Sequence, residues 1–203
     1  MKTLFLTGVA GLAILTGSVA VALAAPSPVG PATKAPAAGP QAGETINLPL
    51  MAGYKIGYQV STADQLMLEL IPQAETLETW TTMITEQVFR KLKDTDPAAW
   101  SAQLGQRLKT ACPGARTQKI ADAVENGYRV SVWVMACPLN TVTQKPETFA
   151  LKAISGKDAL YSVQYAYKQA QDPALTNPAM DYLSHVQLCD TRLPDRPCPP
   201  PAP

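Results

Sequence analysis

The chain has 203 residues, of which 46% are hydrophobic and only 16% are charged. Its 17 Lys and Arg residues nearly balance its 16 Asp and Glu residues, so it lacks the positive excess of proteins that bind nucleic acid or anionic membranes. Without a leader and frayed ends, about 150 residues remain, which is the size of one domain.

The first 24 residues have the pattern of a secretory signal peptide. A basic start at Lys2 precedes an uncharged apolar segment, Leu4 to Leu23, and Ala22 and Ala24 form a small-x-small cleavage pattern. We predict that residues 1–24 are a signal peptide and that the mature chain is periplasmic or secreted, without stable membrane insertion. An uncleaved membrane anchor is the alternative, but the segment is only weakly hydrophobic.

Proline-rich segments flank the predicted domain on both sides. Residues 25–45 consist mostly of Pro, Ala and Gly, and residues 191–203 form a proline-rich tail. Neither segment can bury a core, so we predict a flexible linker and an extended tail around one globular domain, 46–190. A docking ligand of the polyproline type is the alternative for the tail.

The predicted domain begins with a hairpin. Residues 54–60 and 66–71 alternate along the chain and predict two strands, the second ended by Pro72, which lacks a donor for the ladder. Next, residues 76–82 predict a short helix that leads into an extended stretch through Phe89. A single continuous helix over this region is the alternative.

A clear helix start follows at Asp96, because an N-cap residue precedes a proline at the first helical position. Gly114 is expected to end this helix. The apolar residues recur every four positions and predict one buried stripe, formed by Trp100, Leu104, Leu108 and Cys112.

The C-terminal half of the chain is predicted to contain two hairpins. Residues 117–124 and 128–137 predict strands joined at Asn126–Gly127, the strongest short signal for a hairpin turn. The second of these strands is apolar on both faces, which is typical of a central strand. Residues 148–154 and 159–167 predict the other pair.

A last helix is predicted from Asn177–Pro178 to near Cys189. Its buried stripe would be Ala179, Tyr182, Leu183 and Val186. The order of elements lacks a βαβ rhythm, so we predict an α+β fold with a mostly antiparallel β-sheet and helices packed on it.

Four cysteines in an exported chain predict two disulfides. Three pairings are possible. We favour Cys112 with Cys137, which ties the first helix to the central strand, and Cys189 with Cys198, which holds the tail. A redox-active pair or a zinc site is disfavoured, because the chain has no C-x-x-C and a single histidine.

Aromatic side chains give the first candidate for a binding surface. Trp133, Tyr161, Tyr165 and Tyr167 could line an aromatic groove. The alternative is a core face in which tyrosine hydroxyls reach the surface.

Catalytic signals are weak. Glu69, Glu75 and Glu78 cluster near the first hairpin and would serve a carboxylate hydrolase if two of them faced each other across a cleft. His185 is the only histidine, and we expect it at the surface or at a helix cap. We predict no catalytic residues, no metal site and no cofactor.

Several stretches together resemble an uncharacterised family of periplasmic proteins from alphaproteobacteria. They are residues 54–59 (YKIGYQ), 75–80 (ETLETW), 83–85 (MIT), 126–128 (NGY), 145–147 (KPE) and 154–158 (ISGKD). The order of elements is similar, more weakly, to the Mog1/PsbP-like α/β/α sandwich. This resemblance implies a binding or accessory module and transfers no catalytic residues.

The sequence therefore favours an exported, non-enzymatic binding or accessory protein whose partner is an unidentified envelope protein or small ligand. Two alternatives stay open. One is an envelope hydrolase that uses carboxylates, and the other is an inhibitor or stress factor that inserts a loop, Asn140 to Glu147, into its partner.

Overall fold

A computed structural model describes residues 42–141, 143–195 and 198. The predicted signal peptide, most of the predicted linker and most of the predicted tail lie outside the described residues, so these assignments remain predictions. Within the described residues, no helix is long and apolar enough to cross a membrane.

The described chain folds into nine strands, two α-helices and a short 3₁₀ helix. In chain order these are β1 (Glu44–Asn47), β2 (Tyr54–Ser61), β3 (Gln65–Pro72), β4 (Thr82–Phe89), the 3₁₀ helix (Arg90–Leu92), α1 (Pro97–Ala111), β5 (Arg116–Glu125), β6 (Tyr128–Cys137), β7 (Glu147–Ser155), β8 (Leu160–Tyr167), α2 (Pro173–Ser184) and β9 (Gln187–Asp190).

Seven strands form one antiparallel sheet in the order β2-β3-β4-β8-β7-β6-β5, and β1 pairs with β9 in a separate two-stranded sheet. This confirms the predicted α+β class. Strand β6 lies inside the sheet, between β5 and β7, which agrees with its apolar residues on both faces.

The helices cover opposite faces of the seven-stranded sheet. Leu104 and Leu108 of α1 pack in one cluster with Met135 of β6. Leu183 of α2 packs in the other cluster with Val134, the neighbouring residue of β6. Because successive strand residues point to opposite faces, each helix buries its own side of the sheet. We name these sides the α1 face and the α2 face.

The turn between β5 and β6 forms as its two residues predict. Asn126 and Gly127 both have positive φ, 47° and 76°, as a type I′ hairpin turn requires. Asn126 also donates from Nδ2 to the carbonyl of Leu188 at 2.9 Å, which fixes this turn against β9.

The start of α1 is confirmed. Asp96 is its N-cap and accepts a hydrogen bond from the Ala99 amide at 2.8 Å, with proline at the first helical position.

The predicted helix at residues 76–82 is wrong, because side chains of this segment accept hydrogen bonds from its backbone amides. Trp80 N donates to Thr76 O at 2.9 Å, which closes a single turn. The Glu75 carboxylate then accepts hydrogen bonds from the amide and hydroxyl of Thr81 at 2.7 and 2.8 Å. Such local bonds compete with helix propagation, and β4 starts at Thr82.

The predicted bounds of the last helix are also wrong. Asp172 caps α2 by accepting from the Ala174 amide at 2.9 Å, so the helix starts at Pro173, and Pro178 lies inside it. This region has two Asx-Pro pairs, Asp172–Pro173 and Asn177–Pro178, and the helix starts at the earlier pair. The helix ends at Ser184, and Cys189 belongs to β9.

Strand β1 begins at Glu44, within the segment that the sequence assigns to the linker. The Glu44 carboxylate accepts hydrogen bonds from the amides of Lys157 and Asp158 at 2.7 and 2.9 Å. Gly156 makes room for it, since a Cβ there would overlap the Glu44 carboxylate. The N-terminal strand is therefore held by the turn between β7 and β8.

Both disulfides have the pairing favoured from the sequence. Cys112 is joined to Cys137, which links the end of α1 to the end of β6. Cys189 of β9 is joined to Cys198.

Candidate functional site

Polar side chains from three adjacent strands meet on the α1 face. The register places Glu69 of β3 opposite Thr85 of β4, and Thr85 opposite Gln164 of β8. One row further along, Gln87 of β4 lies opposite Ser162 of β8. We name these five residues the polar patch.

Four members of the polar patch are buried. Glu69 is 1% exposed, Ser162 is fully enclosed, Thr85 and Gln87 are buried, and Gln164 is half-buried. The two glutamines contact each other, since Gln164 Nε2 donates to Gln87 Oε1 at 3.3 Å. The patch therefore combines hydrogen-bond donors and acceptors on one face of the sheet.

Two polar atoms of the patch have no partner within the described part of the chain. The Glu69 Oε1 and Ser162 Oγ atoms are enclosed and make no hydrogen bond among the described residues. Most buried polar atoms in native proteins are paired, so each exception needs an explanation. Burial raises the pKa of Glu69 from 4.5 to about 7, because the charged form loses its hydration there. Glu69 is thus present both as acid and as carboxylate near neutral pH.

Trp133 lies in the same row of the α1 face, beyond Leu151 of β7. Its Nε1 atom donates to Ser131 Oγ at 2.8 Å, and Ser131 donates in turn to Asp122 Oδ1 at 2.7 Å. Its polar group is therefore satisfied by a chain of bonds that reaches the edge strand β5.

The three predicted tyrosines lie on the α2 face, and each is engaged there. Tyr161 donates to Glu44 Oε2 at 3.1 Å, and Tyr167 shares a hydrogen bond of 2.7 Å with Thr176 of α2. Tyr165 packs edge-on against Tyr182 with 5.7 Å between ring centroids. Burial raises the pKa of Tyr165 to about 12.

The structure therefore brings Tyr161, Tyr165 and Tyr167 together but places Trp133 on the opposite side of the sheet. The binding role of these four residues stays a prediction.

The remaining predicted carboxylates are engaged outside the polar patch. Glu75 accepts hydrogen bonds from Thr81, and Glu78 accepts one from Thr76 Oγ1 at 2.7 Å, which lowers the pKa of Glu78. Neither is hydrogen-bonded to Glu69 in the described part of the chain.

A second carboxyl with a raised pKa lies on the other side of the sheet. Glu86 of β4 faces the α2 side, because its neighbours Ile84 and Val88 pack in the α2-face cluster. Burial raises its pKa to about 7 as well. Glu69 and Glu86 are therefore separated by the sheet and do not form an acid pair.

The α2 face also holds a buried charge that is fully partnered. Lys152 of β7 is 1% exposed, and its Nζ donates to Glu125 Oε2 at 2.5 Å. The same atom donates to the carbonyls of Leu183 and Val186 at 3.1 and 2.8 Å. Lys152 thus caps the C-terminal end of α2, where a cation is favoured.

Other candidate positions show no convergent site. His185 is exposed at the C-cap of α2, with Nδ1 2.8 Å from the Asp181 carbonyl. Among residues 42–141, 143–195 and 198, no three His, Cys, Asp or Glu side chains are placed to hold a metal ion. In the loop 140–147, Asn140 donates to Glu147 Oε2 at 3.1 Å. Residue 142 lies outside the described residues, and the loop-insertion role stays a prediction.

The sequence contained a signal for part of the polar patch. Glu69 is the one charged residue in the apolar run from Leu66 to Ile71, and a single acid in a buried strand is a candidate for function. The other four members are neutral polar residues on β4 and β8. Their meeting depends on a pairing between strands about 75 residues apart, which local patterns do not specify.

Comparisons with known proteins add little to this picture. No family model matches the chain, and no curated protein matches it. Among solved structures, it is similar to LpqN, a protein involved in cell envelope biogenesis of Mycobacterium tuberculosis. The two are 17% identical over 74% of this chain and 86% of LpqN, with a TM-score of 0.37. A likeness at this level carries no argument about function, so the family and Mog1/PsbP-like resemblances stay predictions.

Proposed function

We propose that this chain is exported and acts outside the cytoplasm, in the periplasm or after secretion, as a non-enzymatic protein that binds a small polar ligand at the polar patch. The observation that carries the proposal is the pair of enclosed, unpartnered atoms, Glu69 Oε1 and Ser162 Oγ, on one face of the sheet.

Export is supported by two independent features. The first 24 residues have the pattern of a signal peptide, and all four cysteines form disulfides. Structural disulfides persist in oxidising compartments and are rare in the cytosol.

The chemistry of the patch favours an uncharged ligand with both donors and acceptors. The Gln87 and Gln164 amides offer both kinds of group, and Ser162 can donate or accept. Glu69, with a pKa of about 7, can accept a hydrogen bond as carboxylate or donate one as acid. A hydroxyl- or amide-bearing molecule would satisfy the unpartnered atoms without adding a buried charge.

A binding role fits the patch better than hydrolysis by paired carboxylates. Carboxylate hydrolases need a second acid across the cleft. Glu75 and Glu78 hydrogen-bond to threonines of their own loop, and Glu86 lies on the other face. The observation that favours hydrolysis is the pKa of Glu69, which suits a general acid.

Native mass spectrometry of the protein purified from the cell envelope tests the proposal. We expect a retained small molecule in the wild type and its loss in the double variant Glu69→Gln, Ser162→Ala. Glu86→Gln is the matched control, because it removes a carboxyl whose pKa is also raised to about 7 but which lies on the opposite face, and it should keep the ligand.

Two results would contradict this function. One is a wild-type protein that carries no small molecule, and the other is identical retained masses in all three proteins. If a hydrolytic activity is found instead, Glu69→Gln should abolish it while Glu75→Gln and Glu78→Gln leave it intact.

A further inference from the structure

Strand β5 is an open edge of the seven-stranded sheet. It spans ten residues, pairs with β6 alone among the described strands, and is exposed along almost its whole length. Two of its large apolar side chains face solvent, with Ile120 45% and Val124 69% exposed. An edge of this kind presents unpaired backbone donors and acceptors, which a further strand can bind.

The charges of β5 are arranged symmetrically about its centre. Arg116 and Lys119 lie in the first half, and Asp122 and Glu125 lie in the second half at mirrored positions. In an antiparallel pairing of β5 with itself, centred between Ile120 and Ala121, each cation would oppose an anion.

The β-bulge of β5 makes this pairing consistent on both faces. Register with β6 shifts between Lys119 and Ala121, so the alternation of side chains is reset at the centre of the strand. Without the bulge, residues an odd number of positions apart would point to opposite faces.

Because of this shift, Lys119 and Asp122 lie opposite Trp133 and Ser131, on the α1 face. Residues Gln118 and Ala123 lie opposite Val134 and Val130, on the α2 face, and Arg116 and Glu125 share that face. Residues that would meet across the axis therefore point to the same side of the sheet.

We propose that two copies of this chain pair through β5, antiparallel and around a two-fold axis between Ile120 and Ala121. The two sheets would join into one of fourteen strands. Arg116 of each copy would lie beside Glu125 of the other, and Lys119 beside Asp122 of the other. This interface is independent of the polar patch and of the proposed ligand.

The opposite edge of the sheet lacks this complementarity. Strand β2 also exposes apolar side chains, Ile56 and Tyr58, but Lys55 is its only charged residue. A β2–β2 pairing would have no opposite charges to set its register, so the charge pattern selects β5.

Sedimentation of the full oxidised chain over a range of concentrations tests the dimer. Arg116→Glu places two like-charged pairs at the interface, and we expect it to raise the dimer dissociation constant at least about tenfold. Arg116 is exposed, so the variant should keep its fold. Lys55→Glu makes the same change of charge on β2 and should leave the dimer unchanged.

Disulfide trapping tests the register. All four native cysteines are bonded, so an introduced cysteine is the only free thiol. A mixture of Gln118→Cys and Ala123→Cys chains should form a covalent dimer on oxidation, because these positions oppose each other. A mixture of Gln118→Cys and Val124→Cys, which point to opposite faces, should not.

The proposal is overturned if the wild type has the mass of one chain at every concentration up to its solubility limit. It is also overturned if Lys55→Glu weakens a dimer that Arg116→Glu does not, or if the two cysteine mixtures cross-link equally.

Discussion

Lys152 on the α2 face and the pair Glu69 and Ser162 on the α1 face are buried polar groups with different surroundings. On the α2 face, the Lys152 ammonium has three acceptors and holds the end of a helix. On the α1 face, Glu69 Oε1 and Ser162 Oγ are equally enclosed and have no acceptor or donor among the residues that the structure describes. A buried polar group with partners works as a structural connector. One without partners is a candidate for binding, because a ligand can supply what the protein does not.

The largest change in stability should come from removing the Cys112–Cys137 disulfide on the α1 face. We expect replacement of Cys112 and Cys137 by alanine to lower the free energy of unfolding by about 3.5 kcal/mol, because the unfolded chain regains the freedom of a loop whose two cysteines are 25 positions apart. Chemical denaturation measures it. Replacing Cys189 and Cys198 frees a span of only nine residues and should cost less. Equal losses would contradict the loop-length argument.

Lys152 on the α2 face should contribute nearly as much to the free energy of unfolding as the Cys112–Cys137 disulfide. Lys152→Met removes the donor for two carbonyls at the end of α2 and the partner of Glu125, and we expect a loss of about 3 kcal/mol. Lys91→Met is the control, since its ion pair with Asp64 is highly exposed and should contribute less than about 1 kcal/mol. Similar losses in urea denaturation would show that Lys152 is not a structural connector.

On the α1 face, replacing a buried polar group should raise the stability of the protein instead of lowering it. The pKa of Glu69 rises from 4.5 to about 7 on folding, so the folded state binds its proton more tightly. Stability should therefore fall as pH rises from about 4.5 to about 7, and then stay level. Glu69→Gln should remove this fall and stabilise the empty protein by about 2 kcal/mol at pH 8.

Unfolding curves between pH 4 and pH 8 measure this dependence. Glu86 has a similarly raised pKa and should contribute a fall of its own, so Glu86→Gln must be measured beside Glu69→Gln. A stability that is unchanged by Glu69→Gln at pH 8 would mean that its carboxylate is better solvated than its burial indicates.

The smallest expected change in stability comes from replacing either of two buried serines, Ser101 and Ser162. Ser101 donates to the Pro97 carbonyl at 2.7 Å, and Ser101→Ala should cost about 1 kcal/mol. Ser162 has no hydrogen-bond partner in the ranges that the structure covers, so Ser162→Ala should leave the stability unchanged or raise it by up to about 1 kcal/mol. Thermal unfolding of both variants at pH 5 checks this difference, and a loss of stability in Ser162→Ala would reveal a partner for its hydroxyl.

The sequence predicts most strands of this fold because their signals are local. The Asn126–Gly127 turn and the cap at Asp96 need only adjacent residues, and both are confirmed. Where the predictions are wrong, the structure is determined by a contact that the spacing of apolar residues does not reveal. Hydrogen bonds from Thr81 to Glu75 end a helical turn, and the earlier Asx-Pro pair starts α2 at Pro173.

The candidate site was much harder to predict than the fold. Glu69 stands out in the sequence as an acid in an apolar run and as a neighbour of Glu75 and Glu78, whereas Ser162 has no local signal at all. Their common face follows from the order of β3, β4 and β8, which joins hairpins far apart in the chain. Trp133 and Tyr165 point to opposite faces because the register from β6 through β7 to β8 aligns Trp133 with Gln164, the neighbour of Tyr165.

The pairing of β1 with β9 has a mechanical consequence. Glu44 lies opposite Asp190 and Asn47 lies opposite Gln187, so the outward ends of both strands are at the same end of the small sheet. A stretching force applied through the two chain ends would peel these strands apart one residue pair at a time, which needs little force. The bonds of Glu44 to the β7–β8 turn and of Asn126 to the Leu188 carbonyl join the small sheet to the large one, so these bonds must also break before the two strands come away from the core.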